Sequence, residues 1–431
     1  MTKTISTIIG GALLLTSVAT AAQAGGLERG GYNWDLLFSE ERFATEGGVI
    51  YVMPDRKIKN AKDTSTNPRL GQDNENYKKS TASETPDYSV YKFGAKVGIT
   101  PDLDCLGSYS QPWGVHTKPG ANWAGDNSNI ETKISSDDWG LTCSYKFQVT
   151  EKGSFRVIGG VSYQEVEGFK TRMVNGGIPL SPYGKAGFDG TGRLELKGDG
   201  VGWRIGGAYE IPEIALRASV MYNAAVDLGE VGGTLDLREI PGALATPSNP
   251  LPGRITDVYG HAKMPQSVEI KLQSGFAPGW LAYGSVKWVD WSVLDVIAFC
   301  PVATKPRGGC SASSSNRATS LDLMFQDGWT VTAGVGHKFN DHWSGQLQVS
   351  WDKGTTTGLT TQTDTYLLSS GIAYSPNKNV EIRLGGAIGW LSSGSYGPTK
   401  CTGNQPCGTD VSYDFGDDLV TAVSLSGKMK F

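Results

Sequence analysis

The C-terminal stretch Val423-Ser-Leu-Ser-Gly-Lys-Met-Lys-Phe431 decides the fold of this chain. Apolar residues and one glycine occupy every second position, and serine or lysine fills the positions between them. A period of two predicts a β-strand with one apolar and one polar face. The same alternation recurs at 91–99, 343–351 and 380–390. Stretches of about ten residues match the length of transmembrane barrel strands and exceed the five or six residues usual in soluble sheets.

The connections between such stretches alternate strictly between short turns and long loops. This asymmetry is typical of outer-membrane barrels, whose periplasmic turns are short and whose external loops are long. The sequence therefore predicts an all-β, 14-stranded antiparallel transmembrane barrel with both chain ends on the periplasmic side. A soluble all-β protein with core tryptophans is the alternative, and it leaves the loop asymmetry unexplained. The predicted strands are 47–58, 88–100, 103–116, 131–148, 154–168, 191–210, 213–228, 262–276, 280–296, 321–339, 342–353, 363–374, 379–391 and 413–431.

The N-terminus carries an export signal followed by an apolar segment. Lys3, the apolar run 8–22 and Ala22-Gln23-Ala24 predict a signal peptide over 1–24. Residues 25–46 contain aromatic and leucine side chains among charges, so we expect a short hatch that enters the barrel lumen, with a disordered tail as the alternative. The barrel itself is predicted over 47–431.

Composition excludes several classes of function. Lys and Arg number 39 against 43 Asp and Glu, and no long run of one sign favours nucleic-acid binding. Only four histidines occur, and no metal-ligand or acid–base pattern stands out, so we expect no metal, no cofactor and no enzyme activity. Six cysteines in an exported chain predict disulfides instead. The candidate pairs are Cys105 with Cys143, Cys300 with Cys310, and Cys401 with Cys407.

Two predicted external loops, 169–190 and 239–255, are rich in apolar residues. Exposed apolar patches mark binding surfaces, although loops that pack on one another as a lid would look the same. The candidate ligand contacts are Phe169, Met173, Ile178, Leu180, Tyr183, Ile240, Leu244 and Leu251. In the third strand, Pro112 cannot donate a ladder hydrogen bond. We expect a bulge or break beside Trp113, or a strand that simply ends before the proline.

The stretches 265–292 and 327–343, with Trp280 to Ser292 and the turn Asn340-Asp341, resemble the FadL/TodX family of outer-membrane transporters of long-chain fatty acids and hydrocarbons. The resemblance covers nearly the whole mature chain. It implies a 14-stranded barrel, a lumenal hatch, a kinked third strand that opens a lateral exit, and a ligand groove on the loops after strands five and seven. The short segment 25–46 departs from the family because it lacks an Asn-Pro-Ala motif.

The expected function is passive uptake of fatty acids or hydrocarbons across the outer membrane of a Gram-negative bacterium, with lateral release near the third strand. A general diffusion porin for hydrophilic solutes is the alternative. Arg156, Arg204, Arg217 and Lys287 are candidate partners for a carboxylate. Expected partners besides the ligand are outer-membrane lipid, lipopolysaccharide and, through the strand ending in Phe431, the barrel-assembly machinery. The expected hatch and gate residues are Trp34, Leu37, Phe38, Phe43, Pro112 and Trp113.

Overall fold

The computed structural model describes residues 26–65, 78–180, 184–247, 249–400 and 406–431. The side chains of 175–180 and 184–187 are not described. The predicted signal peptide 1–24 lies outside the described residues. Among them, no helix has the length and apolar character needed to cross a membrane.

Fourteen antiparallel strands of the described chain form one closed sheet, as the sequence predicts. Each strand pairs with its chain neighbours, and the first strand closes the barrel by pairing with both the second and the last. The strands are β1 (Phe43–Pro54), β2 (Tyr88–Gly98), β3 (Leu103–Ser110 and Gly114–Thr117), β4 (Glu131–Gln148), β5 (Ser154–Leu180), β6 (Gly184–Ile211), β7 (Leu216–Asn223 and Val226–Asp236), β8 (Ile255–Met264 and Ser267–Ala277), β9 (Trp280–Val289), β10 (Gly328–Lys338), β11 (Trp343–Asp352), β12 (Thr365–Asn377), β13 (Val380–Leu391) and β14 (Asp418–Lys430).

The two faces of the sheet are the reverse of those in a soluble protein. On β11, Leu347 is 50% exposed and Val349 54% exposed, whereas Gln346 is 8% and Gln348 3% exposed. Apolar side chains therefore point outward and polar side chains point into the barrel. This arrangement fits a wall surrounded by lipid with a polar interior.

Three strands are interrupted. β3 breaks at 111–113, β7 at 224–225 and β8 at 265–266. The breaks in β3 and β8 fall at Pro112 and Pro265, since proline has no N–H to donate to the ladder. The ladder between β2 and β3 ends at the pair Lys92–Ser110, and the described residues of β3 beyond the break pair with β4 alone. We call the resulting opening between 88–91 of β2 and 114–117 of β3 the wall gap.

Several expected strand bounds are wrong, including 280–296, which ends at Val289, 321–339, which begins at Gly328, and 413–431, which begins at Asp418. The predicted loop 169–190 is largely strand, because β5 runs to Leu180 and β6 starts at Gly184. The stretch lies beyond the lipid, where no strict alternation is needed, and its Asn-Gly-Gly sequence looks like a turn. The first strand begins at Phe43 rather than at 47. Phe43 therefore belongs to the outer wall and not to the hatch: its ring is 41% exposed and lies 6.1 Å from that of Phe431.

Smaller elements cover the external end of the barrel. A four-stranded sheet combines Gly394–Tyr396, Val411–Phe415, Lys57–Asp63 and Ala82–Ser83, and its apolar core includes Trp123. A hairpin of Val296–Pro301 with Thr319–Asp322 follows β9.

Disulfides reinforce the wall and this external hairpin. A disulfide joins Cys105 of β3 to Cys143 of β4, and these residues are directly paired in the ladder. A second disulfide joins Cys300 to Cys310 beside the hairpin. Cys401 lies outside the described residues, so the third predicted pair is not described.

Candidate functional site

An apolar cavity of about 60 Å³ lies inside the external part of the barrel. Its wall comes from the external halves of β4 to β8 and from the hairpin after β9, because the strand extensions beyond the lipid turn apolar side chains inward. Apolar clefts with few polar groups are the usual sites for small hydrophobic ligands. Lining residues include Leu27, Ile134, Val166, Phe169, Leu194, Leu228, Met264, Leu294, Phe299 and Leu321.

Lys170 is a charged residue on the cavity wall. The outward apolar residues of β5 end at Tyr163 and give way to Glu165 and Glu167, which places Lys170 on the external extension of the strand. Burial lowers the pKa of its ammonium to about 8, because the charged form loses solvation. Lys170 forms no ion pair within the part of the chain that the structure describes.

The segment from Gly26 to Ser39 fills the barrel below the cavity. It contains a 3₁₀ turn, Asp35–Phe38, and its Trp34 and Leu37 are fully buried. These side chains pack against inward-facing residues of the strands, such as Leu106 and Met221. The apolar character noted in the sequence is thus matched by an apolar surface on the inner wall.

Polar contacts fix the same segment to the wall. The Asp35 carboxylate pairs with Lys271 Nζ at 2.9 Å, and Glu28 pairs with Lys287. Lys96 Nζ donates to the carbonyl of Ser39 at 2.6 Å. Because these partners lie on β2, β8 and β9, the segment is held across the lumen.

The backbone of this segment also fills the wall gap. Arg29 N–H donates to the carbonyl of Pro112 at 2.8 Å, and Gly30 N–H donates to that of Gln111 at 3.1 Å. Gly114 N–H donates to the carbonyl of Leu27 at 2.7 Å. A Cβ at Gly30 would lie 2.8 Å from Val90 and 3.0 Å from the Gln111 carbonyl, so glycine permits this close approach. The segment replaces β2 as the neighbour of β3.

The side chain of Arg29 spans the wall gap from edge to edge. Its Nε–H donates to the carbonyl of Gly114 on β3 at 2.9 Å. Its guanidinium carbon lies 3.4 Å from the centre of the Tyr88 ring on β2. The two strand edges that lack a ladder are therefore linked through one guanidinium.

Aromatic side chains connect the gap to the cavity. Trp113 points inward at the break, and its indole N–H donates to Gln164 Oε1 at 3.2 Å. Its ring lies 5.2 Å from that of Trp291, which packs in turn against Phe325 at 6.0 Å. Both tryptophans belong to the buried cluster that includes the cavity lining. Apolar contact is therefore continuous from the cavity to the gap.

The four cations expected to bind a carboxylate are already paired. Arg156 contacts Asp104 at 2.8 Å and Glu210 at 2.6 Å. Arg217 contacts Glu210 at 3.2 Å, Arg204 contacts Asp138 at 3.4 Å, and Lys287 contacts Glu28. A ligand carboxylate at any of them would have to displace a protein carboxylate. The structure thus gives these residues a role in the lumenal ion-pair network.

The candidate loop residues differ in where their side chains lie. Phe169 lines the cavity, and Leu251 packs against the apolar cluster around it. Ile240 is buried, Leu244 is partly buried, and Met173 lies on the β5 extension. The side chains of Ile178 and Leu180 are not described, and Tyr183 lies outside the described residues.

Several residues of the site were missed by sequence reasoning. Leu27, Arg29, Lys170 and Trp291 carry no motif of their own, and Trp291 stood out only through the family resemblance. Within the described ranges, no cluster of histidine, cysteine and acidic side chains is arranged to hold a metal ion.

Comparison with known proteins identifies relatives of this architecture. The sequence profile described as outer membrane protein transport protein (OMPP1/FadL/TodX) matches residues 21–400. No curated protein matches the chain by sequence. A FadL homologue from Pseudomonas aeruginosa superposes with a TM-score of 0.72 at 17% identity, covering 92% of each chain. The toluene transporter TodX of P. putida gives 0.56 at 16% identity, covering 92% of each. The toluene transporter TbuX of Ralstonia pickettii gives 0.58 at 15% identity, covering 92% and 91%. At these identities the likeness is one of fold.

Proposed function

Because this chain belongs to the OMPP1/FadL/TodX family of outer-membrane transport proteins, we propose that it binds small hydrophobic compounds in the apolar cavity and releases them sideways through the wall gap. It lies in the outer membrane of a Gram-negative bacterium. Its family is one of transporters, and we propose no catalytic step.

The continuous apolar contact from the cavity to Trp113 carries this proposal. A hydrophobic ligand leaves water when it enters the cavity, and burial of each CH₂ is worth roughly 0.8 kcal/mol. The lipid beyond the gap is equally apolar, so the ligand can move from cavity to membrane without an energy source. The outward band of apolar residues would contact lipid and lipopolysaccharide, and we expect the assembly machinery to recognise the strand ending in Phe431.

We infer that Gly26–Ser39 acts as a short hatch. Trp34, Leu37 and Phe38 lie buried in the lumen directly below the cavity, which opposes straight passage to the periplasm. The same segment closes the wall gap through its bonds to Pro112 and its neighbours. A small movement of the segment away from the gap would open a route to the lipid and leave the lumen filled.

Lys170 bears on the chemistry of the ligand. A fatty acid would bring a carboxylate to this cation, whereas a hydrocarbon needs no such partner. A charge-assisted hydrogen bond is worth about 1.5–3 kcal/mol, which corresponds to roughly a tenfold to hundredfold change in affinity. TodX and TbuX are toluene transporters, so toluene is the first neutral ligand to test.

Uptake of labelled oleate, toluene and a small sugar, in cells with and without the protein, tests the proposal. We expect faster uptake of oleate or toluene and no change for the sugar. Uptake of the sugar together with no uptake of oleate or toluene would instead support a general diffusion porin. Lys170→Met should lower oleate uptake roughly tenfold or more and leave toluene uptake unchanged. Lys152→Met, on an exposed periplasmic turn, is the matched control.

The pH dependence provides a second readout. The ammonium of Lys170 is charged below its pKa of about 8 and loses the proton above it. Oleate binding should therefore weaken as the pH rises from 7 through 9, and toluene binding should not. An identical pH profile for Lys170→Met would show that Lys170 does not hold the carboxylate.

A further inference from the structure

Arg29 differs from the other arginines considered above in having no acidic partner. Arg156, Arg204 and Arg217 each contact a carboxylate. Within the residues that the structure describes, the Arg29 guanidinium forms no ion pair and contacts the Gly114 carbonyl and the face of the Tyr88 ring. It thus stands in the wall gap as a cation whose charge is balanced by weak partners.

We propose that Arg29 is the latch and the specificity-determining residue of the lateral exit. It keeps the gap closed when no ligand is present, and the anionic head of an amphipathic ligand releases it. This inference rests on the proposed function, because it assumes that hydrophobic ligands leave through the gap. It assigns to the exit a second selectivity for a carboxylate, separate from that of Lys170 in the cavity.

The chemistry of the guanidinium explains the selectivity. A carboxylate can accept two parallel hydrogen bonds from the guanidinium fork, and such charge-assisted pairs are roughly twice as strong as neutral hydrogen bonds. A carboxylate can therefore compete with one carbonyl oxygen and one aromatic ring for Arg29. A hydrocarbon offers no acceptor, so it can pass only when the latch opens spontaneously.

The latch lies between two other links across the gap, from Tyr91 N–H to Gln111 Oε1 at 3.1 Å and from Lys118 N–H to the Glu84 carbonyl at 2.6 Å. Between the pair Lys92–Ser110 and the external end of the gap, β2 and β3 share no ladder pair among their described residues. The backbone of Arg29 binds β3 through Pro112, but its side chain alone reaches Tyr88 on β2. Loss of this side chain leaves the hatch bound to β3 and removes its contact with Tyr88 on β2.

Initial uptake rates of oleate and dodecane test the proposal in four forms of the full-length protein: wild type, Arg29→Ala, Arg29→Lys and Arg238→Ala. Arg29→Ala should raise dodecane uptake at least fivefold and lower the oleate-to-dodecane ratio at least fivefold. Arg29→Lys should fall between, because lysine keeps the charge but cannot form the bidentate pair. Arg238 is exposed and pairs with Asp236 outside the site, so its alanine variant should behave as wild type.

Folding of each variant is checked by the heat-modifiable migration of the barrel in gels. If Arg29→Ala does not fold, Tyr88→Leu removes the other half of the contact and should raise dodecane uptake in the same direction. Wild-type ratios in folded Arg29 variants would overturn the latch and leave the proposed function standing. Failure of the wild-type protein to take up either compound would overturn both.

Discussion

The wall from β9 to β14 and the wall from β2 to β4 are closed in different ways. In β11, every residue from Ser344 to Asp352 has a partner on β10 and another on β12. In β3, the residues before the break pair on both sides, and Gly114–Thr117 pair with β4 alone. The missing partner is supplied by Leu27–Gly30 of the hatch. A barrel wall can therefore be closed by a segment that is not part of its sheet.

Proline substitutions give the largest expected difference between the two walls. Val349 pairs with Ala333 and Leu368 in the middle of the continuous wall. Val349→Pro removes a ladder N–H and leaves an acceptor unpaired in lipid, at a cost of roughly 2–7 kcal/mol. We expect most of this variant to fail to fold, whereas Pro112→Ala should fold normally because the ladder is already broken there. Heat-modifiable gel migration measures both. Equal folded fractions would remove the distinction between the walls.

The disulfides give an intermediate effect. Cys105–Cys143 fastens β3 to β4 just below the gap and closes a loop of 38 residues, whereas Cys300–Cys310 closes one of 10 in the external hairpin. Paired serine substitutions should lower stability by about 4 and about 3 kcal/mol, respectively, in the chain-entropy picture. Guanidinium unfolding in detergent measures the order. We also expect faster lateral release in the first variant and unchanged release in the second. Unchanged release in the first variant and faster release in the second would mean that β3 does not rely on the disulfide to β4 for its position.

The smallest effect concerns the roof of the gap, where Lys118 N–H after β3 donates to the carbonyl of Glu84 before β2 at 2.6 Å. Burial raises the pKa of the Glu84 carboxyl to about 7. Protonation of Glu84 therefore stabilises the folded state. This contribution to the free energy of unfolding is lost as the pH rises through 7. Hydrogen exchange at Lys118, corrected for intrinsic rate, should speed up several-fold between pH 5.5 and 8. Glu84→Gln should abolish the change, and persistence of it would assign the effect to another group.

The strands could be predicted because lipid imposes a strict alternation. β11 was expected at 342–353 and spans Trp343–Asp352. Beyond the lipid this constraint ends, so the sequence predicts a loop where β5 in fact continues to Leu180. The apolar cavity could be anticipated only as a set of apolar residues, since its shape depends on how the extensions of β4 to β8 curve inward.

The charged residues show a second limit of the sequence. Arg156 was a reasonable candidate for a ligand carboxylate, but its partners Asp104 and Glu210 lie 52 and 54 residues away in the chain. Nothing local marks these pairs. Arg29 and Lys170 matter for the opposite reason, because neither forms an ion pair with a carboxylate among the described residues, and that too is visible only in three dimensions.

The contacts of the hatch also set an order of assembly. Gly26 N–H donates to Thr355 Oγ1, 329 residues further along the chain, so the hatch, which is synthesised before the barrel strands, has partners that are synthesised near the end. Closing so long a loop has a large entropic cost that only a completed wall can offset. We therefore expect the hatch to dock last. Until it does, the newly inserted barrel is an open hole in the membrane, and the speed of docking determines how long each new molecule leaks.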